Sequence, residues 1–569
     1  MIDICRDIIN NGKSGKNILR YLLFIMNNVI IKNQYEGSQN KRLSNLYLKN
    51  GVIPFDNIPF TFSPIKHNPT FNILIQCFEI DEHKSEMLAR YVKNNIEYKG
   101  NLFTSIKDID IPDEEINKLV DEYNRKLWDG HRPGNELKVD KGQIFINNYV
   151  KDCRFIIEEL KGLSAQGVSN YTNSASVWLN EENNVVDCEE KKKVIKEMFT
   201  NSTVAIIYGA AGTGKSTLIN HISHFFSDKS KLFLAQTHPA VDNLKRKVTA
   251  SNCEFTTITR FTLNKGIMTE FDILIIDECS TVSNSDMKKI LDKATFKLLI
   301  LVGDTYQIES IRFGNWFSIA EKFIPSTSSA ELTKPYRSND QNLLNLWSKV
   351  REMDDAVLEC LTKNRFSNRL DDSIFKISSP DEVILCLNYD GLYGINNINR
   401  FLQESNPSNG VSWGIQIFKV GDPILFHDTD RFKPTIYNNM KGRILNVSIN
   451  SYGNIDERIV FDIELDKVIN GMDVIDGEFE LLGQEIYEEA NNSVIRFSVY
   501  KNKNTDADNL DLRTIIPFQI SYAVSIHKAQ GLEYDSVKVI ITNEIDEIIT
   551  HNIFYTAITR AKKSLKIYW

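Results

Sequence analysis

Cysteine is sparse and scattered: eight among 569 residues, at positions 5, 77, 153, 188, 253, 279, 360 and 386. No C-x-x-C pair occurs, so neither the ligand spacing of a zinc site nor a disulfide framework is indicated. Scattered thiols suit a reducing cytoplasm. A basic excess is missing too. With a formal net charge of −8, the whole chain lacks the electrostatic signature of a nucleic-acid binder, and any such contact must come from local basic patches. Long apolar runs are also lacking. Leu22 to Ile31 is the most apolar N-terminal stretch, but Asn27 and Asn28 interrupt it. It is too short to span a bilayer and has no small-residue cleavage site nearby, so a buried helix and no membrane contact are expected. There is no internal repeat and no low-complexity tract. What remains is a soluble globular composition, 42% hydrophobic and 25% charged, in a chain long enough for about four domains.

The most informative stretch is Ile206 to Asn220. Gly209, Ala210, Ala211, Gly212, Thr213, Gly214, Lys215 and Ser216 fit a phosphate loop: two glycines with four residues between them, then Lys and Ser/Thr. The apolar run Val204 to Ile207 predicts a buried strand before it, and Ser216 to Phe226 a helix after it. In that context backbone N–H groups of the loop and the helix N-terminus can wrap a triphosphate. Lys215 would reach the β- and γ-phosphates, and the Ser216 hydroxyl would hold Mg²⁺. Thr217 is a further candidate nucleotide contact.

Residues 1 to about 180 carry no recognisable motif. Leu19–Ile31, Ser85–Val92, Asp113–Leu127 and Asn147–Leu160 have helical spacing of apolar residues. Between the first two, Pro54, Pro59, Pro64 and Pro69 favour an extended packed loop in which Asp56 and His67 are structural. Glu136-Leu-Lys138 matches a nuclease-type E-x-K by chance composition. Gly162 to Asn173, rich in Gly, Ser and Asn, reads as a linker.

From Val185 apolar runs alternate with helical patterns, as in parallel α/β units. Strands are expected at Thr203–Tyr208, Lys231–Gln236, Ile273–Ile276 and Leu298–Val302, then at Val383–Asn388, Ser521–Ser525, Val537–Ile541 and Leu565–Tyr568. Phe418 to Tyr500 reads instead as short antiparallel strands, a small β-barrel inserted in the second unit. The strand Ile273–Ile276 ends in Asp277, placed to hold Mg²⁺, and Glu278, placed to orient and deprotonate an attacking water. Leu298–Val302 leads to Gly303-Asp304-Thr305-Tyr306-Gln307, whose amide can contact both that water and the γ-phosphate.

The ordered series GAAGTGKS, QTHPAVDNLKRK, IIDECS, GDTYQ, LTKPYRS, YAVSIHKAQGLEYD, YTAITRAKK resembles the motifs of superfamily 1 helicases, in particular the RecD-like and phage Dda-like branch, superfamily 1B. The resemblance covers roughly residues 185–569. It implies an α/β fold of two RecA-like domains with ATP in the cleft between them and a small SH3-like β-barrel inserted in the second. Arg337 and Arg560 match the two arginines that the family directs at the γ-phosphate, and with Lys215, Glu278 and Gln307 complete the expected catalytic set. The resemblance places Thr237, His238, His527 and Lys528 against nucleic acid and Gly531, in the same segment as His527, at the nucleotide; Trp316 and Phe317 either stack bases or are buried aromatics. The implied activity is ATP-dependent translocation, 5′ to 3′, on single-stranded DNA. RNA is the alternative track, and a nucleotide-driven switch with a protein partner on the N-terminal part is the alternative class. The chain departs from the family in three places. Cys188-Glu189-Glu190-Lys191-Lys192 stands where an adenine-reading Gln is usual. Thr256 to Phe271 leaves little room for a strand-splitting hairpin. Glu309-Ser310 replaces the usual Pro after the GDxxQ motif. The expected division is a mainly helical N-terminal domain of 1–180, a first RecA-like domain of 181–335, a second of 336–412 and 515–569, and the β-rich insert of 413–514.

Overall fold

The computed structural model describes residues 2–13, 16, 19–20, 75, 80–127, 129–130, 132–263, 269–308, 313–427, 429–432, 435–452, 456–469, 478–483, 486–501, 512–542 and 550–569. The proline-rich stretch with Asp56 and His67, most of Leu19–Ile31, positions 264–268 and Glu309-Ser310 lie outside the described residues. Two compact units divide the chain. One holds Met1–Gly162, Val282–Asp292 and Ser310–Phe323; the other holds Leu163–Thr281, Lys293–Glu309 and Ile324–Trp569.

In the first unit, helices Lys84–Lys99 and Asp113–Lys126 pack on a three-stranded antiparallel sheet of Thr104–Ser105, Gln143–Ile146 and Leu137–Asp140. Leu88, Val92 and Ile96 recur at helical spacing, as do Ile116, Leu119, Val120 and Tyr123, and both sets are buried with Ile144 and Ile146. That periodicity is why these segments are helices with one apolar face. The Glu136 and Lys138 side chains pair with each other at 3.2 Å, and Glu136 Oε1 accepts from Asn147 Nδ2 at 2.7 Å, a structural arrangement.

The second unit contains two parallel sheets. The first runs in the order Cys253–Thr257, Lys231–Ala235, Ile273–Ile276, Leu298–Gly303, Val204–Gly209, Ser329–Leu332. Its central strands are buried along their whole length, as a parallel sheet covered on both faces requires. The second sheet runs Ser367–Asn368, Ala561–Tyr568, Tyr534–Ile540, Glu382–Cys386, Ala523–Ser525. These are the two RecA-like sheets.

Between strands of the second sheet sits a six-stranded antiparallel sheet, ordered Glu480–Leu482, Val494–Tyr500, Asp456–Leu465, Lys441–Tyr452, Pro423–Phe426, Phe518–Ile520. Phe418, Phe426, Phe461, Phe497 and Phe518 form its aromatic core. Among the described residues its two end strands do not pair, so the expected barrel closure is not seen there. The sheet also reaches past the expected boundary at 514, because Phe518 belongs to its core.

The expected N-terminal boundary at 180 is corrected as well. Tyr171–Leu179 is a helix, and Tyr171 is buried against Phe199 and Phe225 in the core of the first parallel sheet. Its Asn- and Ser-rich sequence hides one buried face, so the units divide at Gly162. Where a strand-splitting hairpin was not expected, the described chain forms the strand Cys253–Thr257 and the helix Ile258–Leu263.

Candidate active site

The buried strand Val204–Gly209 delivers the chain into the loop at 210–214, and the helix Lys215–Phe225 starts directly after it. Gly212 and Gly214 both have φ of +80°, a left-handed conformation that L side chains rarely adopt. A Cβ on Gly212 would also lie 2.4 Å from Arg337 Cβ. The loop's amides and the helix N-terminus therefore form a concave cradle suited to anionic groups. Lys215 is folded into it, donating to Gly209 O at 2.7 Å and Ala210 O at 3.0 Å. Burial lowers its pKa, against the pull of Asp304 and Asp277. A phosphate would take over from two loop carbonyls as its partner.

Asp277 and Glu278 follow the strand Ile273–Ile276, and the Glu278 N–H donates to Asp277 Oδ1 at 2.9 Å. Glu278 has φ of +54°, a conformation that costs a non-glycine residue about 1 kcal/mol or more and is found at functional sites. Its Oε2 is buried with no hydrogen-bond partner among the described residues. Burial first, and then the neighbouring Asp277 carboxylate, push its pKa up to about 7. A carboxylate with a free oxygen that titrates near neutrality is suited to taking a proton. Burial also raises Asp277.

Lys215, Asp277, Glu278, Gln307, Arg337 and Arg560 all line one cavity of about 260 Å³. Arg337 donates to Thr559 O at 2.9 Å and to Glu533 Oε1 at 2.7 Å. Arg560 is buried and donates to Thr556 O at 3.0 Å and Leu532 O at 3.2 Å. Burial, and then Arg337, depress its pKa to about 10, and it remains charged. Gln307 Nε2 donates to Asp304 Oδ2 at 3.4 Å. The remaining expected nucleotide contacts, Ala211 to Ser216, Thr217 and Gly531, line the same cavity. Gly209 and Ala210 contribute the carbonyls under Lys215.

Three residues of this site carry no local signal in the sequence. Glu533 orients Arg337. Tyr555 accepts from the Ala211 N–H through its hydroxyl, at 3.2 Å. Lys191, within the run that replaces the usual Gln, is buried beside Asp187 and lies 4.9 Å over the Tyr336 ring. A Cβ on Gly214 would come within 2.7 Å of its Nζ, so Lys191 braces the loop from outside.

The residues expected at nucleic acid are split. The Thr237 hydroxyl caps the helix His238–Lys247, accepting from Ala240 N at 3.4 Å. His238 is exposed and stacks on Tyr437 of the insert, with ring centroids 5.3 Å apart. Asp242 on the same helix accepts from Tyr437 Oη and pairs with Lys467 at 3.2 Å. Lys528 donates to Gln519 Oε1 at 2.7 Å, and His527 beside it is half-buried. A Cβ on Gly531 would meet Thr237 Oγ1 at 3.7 Å and Glu278 Oε1 at 3.8 Å. Gly531 thus separates the cap of the Thr237 helix from the Glu278 carboxylate by one van der Waals layer. Gln236 Oε1 and Gln530 Nε2, each one residue away in sequence, are buried with no hydrogen-bond partner among the described residues.

Trp316 is the correction. It is fully buried in the other unit, with its Nε1–H donating to Val282 O at 2.8 Å, and Phe317 is buried beside it. No base can stack there.

Residues 188–369 match the AAA domain family and residues 521–568 the UvrD-like helicase C-terminal domain. Similar curated proteins include the RecD subunit of the RecBCD enzyme of Buchnera aphidicola, 24% identical over 66% of this chain and 67% of that one. The RecD subunit of Mycolicibacterium smegmatis is 23% identical over 55% of this chain and 52% of its own length. The ATP-dependent DNA helicase Pif1 of Campylobacter jejuni is 23% identical over 63% and 87%. Among solved structures, Bacteroides Pif1 in complex with ADP-AlF3 and ssDNA has a TM-score of 0.43 at 15% identity, over 67% of this chain and 92% of that one. Together the matched domains and relatives support a RecD- and Pif1-like helicase of superfamily 1B, a nucleic-acid-dependent ATPase.

Proposed function

We propose that the chain is an ATP-driven motor that moves 5′ to 3′ along single-stranded DNA. What supports this reading is the placement of Gly531, where a Cβ would come within 3.7 Å of Thr237 Oγ1 and 3.8 Å of Glu278 Oε1, next to both the carboxylate and the cap of a helix suited to gripping phosphates. Glu278 takes the proton of the attacking water, and Gln307 orients that water. Lys215, Arg337 and Arg560 stabilise the charge that develops on the transferred phosphoryl group. Thr237, His238, His527 and Lys528 hold the strand. Closure of the two parallel lobes on ATP and reopening after hydrolysis would shift that grip.

No group of three or more His, Cys, Asp or Glu among the described residues could hold a metal alone. The Ser216 hydroxyl and the buried Asp277 carboxylate would hold a Mg²⁺ together with a bound nucleotide. These are hard oxygen donors that suit it, and it would supply charge neutralisation on the phosphates. Among the described residues no helix is long and apolar enough to cross a membrane. The scattered thiols favour a motor that works in the cytoplasm.

ATP hydrolysis measured with single-stranded DNA, single-stranded RNA and no polymer tests the reading. DNA should stimulate most. Stimulation by RNA alone would move the track to RNA, and equal rates in all three would contradict a motor.

A further inference from the structure

The three long strands of the insert have unlike faces. Alternation along Lys441–Tyr452, Asp456–Leu465 and Val494–Tyr500 buries Val447, Ile459, Phe461, Ile463, Ile495 and Val499 in the insert's core. The strand register fixes cross-strand rows on the other face. Asn450, Arg458 and Tyr500 form one, Ser448, Val460 and Ser498 the next, and Asn446, Asp462 and Arg496 the third. Arg431 and Arg513 come in over these rows and bound a groove of about 690 Å³.

Charge is segregated here. Between 413 and 514 the chain has 18 acidic and 11 basic residues, and five of the basic ones are arginines. Four of those five line the groove, against Glu478 and Glu480. Two of the arginines are held in place. Arg496 grips the buried Asp462 carboxylate through two bonds of 2.7 and 2.8 Å, and Asp462 also accepts from Tyr487 at 2.6 Å and Asn446 at 3.3 Å. Arg431 donates to Ser498 O at 3.1 Å, lies 3.2 Å from Glu478, and packs over Phe432. Arg458 is half-buried and donates to the Tyr500 hydroxyl at 3.5 Å, and Arg513 is exposed.

We propose that this face binds a second segment of nucleic-acid strand through its phosphodiester backbone. Guanidinium groups beside rows of Asn, Ser and Tyr supply donors for phosphate and sugar oxygens. A phosphate backbone is favoured over a protein partner because arginines and amide and hydroxyl groups make up most of the lining, with Tyr500 its one part-exposed aromatic among the described residues. Its phenylalanines, Phe479 and Phe497, are buried, whereas protein interfaces centre on desolvated aromatic anchors. The inference rests on the motor reading, since a chain that tracks a strand has use for a second hold on it.

The test uses the full chain and the variant R458E/R513E, with R458K/R513K as the charge-preserving control. Fluorescence anisotropy compares labelled oligonucleotides of about 8 and about 30 nucleotides across a salt series. The Glu variant should bind the long strand about tenfold more weakly, with a salt slope smaller by about one to two. Its ATPase stimulation by saturating short strand should match wild type, and the Lys control should bind like wild type. Long-strand affinity and salt slope unchanged in the Glu variant would overturn the groove proposal. Wild-type chain that no strand stimulates would overturn the motor reading instead, and anisotropy would still judge the groove.

Discussion

The nucleotide cavity and the insert groove both gather arginines, and they use them in opposite ways. Arg337 and Arg560 are tied to backbone carbonyls at 2.9–3.2 Å around a cavity that also buries Asp277 and Glu278. In the groove, Arg458 is half-buried and Arg513 exposed on an open face. Buried charges act in a low dielectric and depend on position, so small geometric changes have large effects. Exposed charges act additively and are screened by salt.

The cleft should break hardest when its cross-cavity charges go. Arg337→Ala and Arg560→Ala should each lower kcat roughly 10³-fold, with ATP affinity changed far less, because both act on charge that develops in the transition state. Steady-state hydrolysis and equilibrium nucleotide binding check this together. Equal losses in kcat and affinity would make them binding residues.

Lys215→Ala should cost roughly 10²-fold or more in hydrolysis while the protein stays folded. Near-normal turnover in the folded variant would remove Lys215 from the mechanism.

The contact between strand side and carboxylate should break more gently. Gly531 has φ of +77°, and a Cβ there would sit in ordinary van der Waals contact with Thr237 and Glu278, so Gly531→Ala fits sterically but strains the turn between them. Strand stimulation of ATPase should fall about tenfold, while basal hydrolysis falls less. An equal fall in both would mean a local folding defect.

Stability should respond to pH in the same place. Burial raises the Glu278 pKa from its ordinary 4.5 to about 7, so between those values the folded state binds more protons than the unfolded one. Stability from this group therefore grows as pH falls through 7 and is lost as pH rises through it. Glu278→Gln should raise the melting temperature more at pH above 7 than near pH 5, by a few degrees. A uniform shift would mean that Glu278 does not carry the burial penalty. The smallest effect belongs to Trp316. Trp316→Phe should cost some stability, as loss of a buried hydrogen bond does, and leave strand affinity unchanged within about twofold.

The contrast also explains what the sequence could reveal. The cleft was legible because its residues end buried strands and sit at fixed offsets within short motifs: Gly209 to Ser216 after Val204–Ile207, Asp277 and Glu278 after Ile273–Ile276. Glu533 and Tyr555 were missed because their partners, Arg337 and Ala211, lie 196 and 344 residues away. Trp316 was misread because an aromatic beside a motif looks the same whether it faces a base or a core. Spacing alone did not assign Tyr171–Leu179 to the first sheet, because its buried face is thin and its exposed face is rich in Asn and Ser. The groove left no linear signal: its arginines come from separate strands and loops, and only the antiparallel register brings them together.

The most direct measurement is the pH dependence of strand-stimulated ATP hydrolysis for wild type and Glu278→Gln. With Glu278 as the base, wild-type kcat/KM should be level above about pH 7 and fall nearly tenfold per unit below it. Glu278→Gln should still bind ATP and strand, hydrolyse about 10²- to 10⁴-fold more slowly, and lack that limb of the profile. A variant that keeps the wild-type limb, or that loses ATP binding instead of hydrolysis, would contradict Glu278 as the proton acceptor.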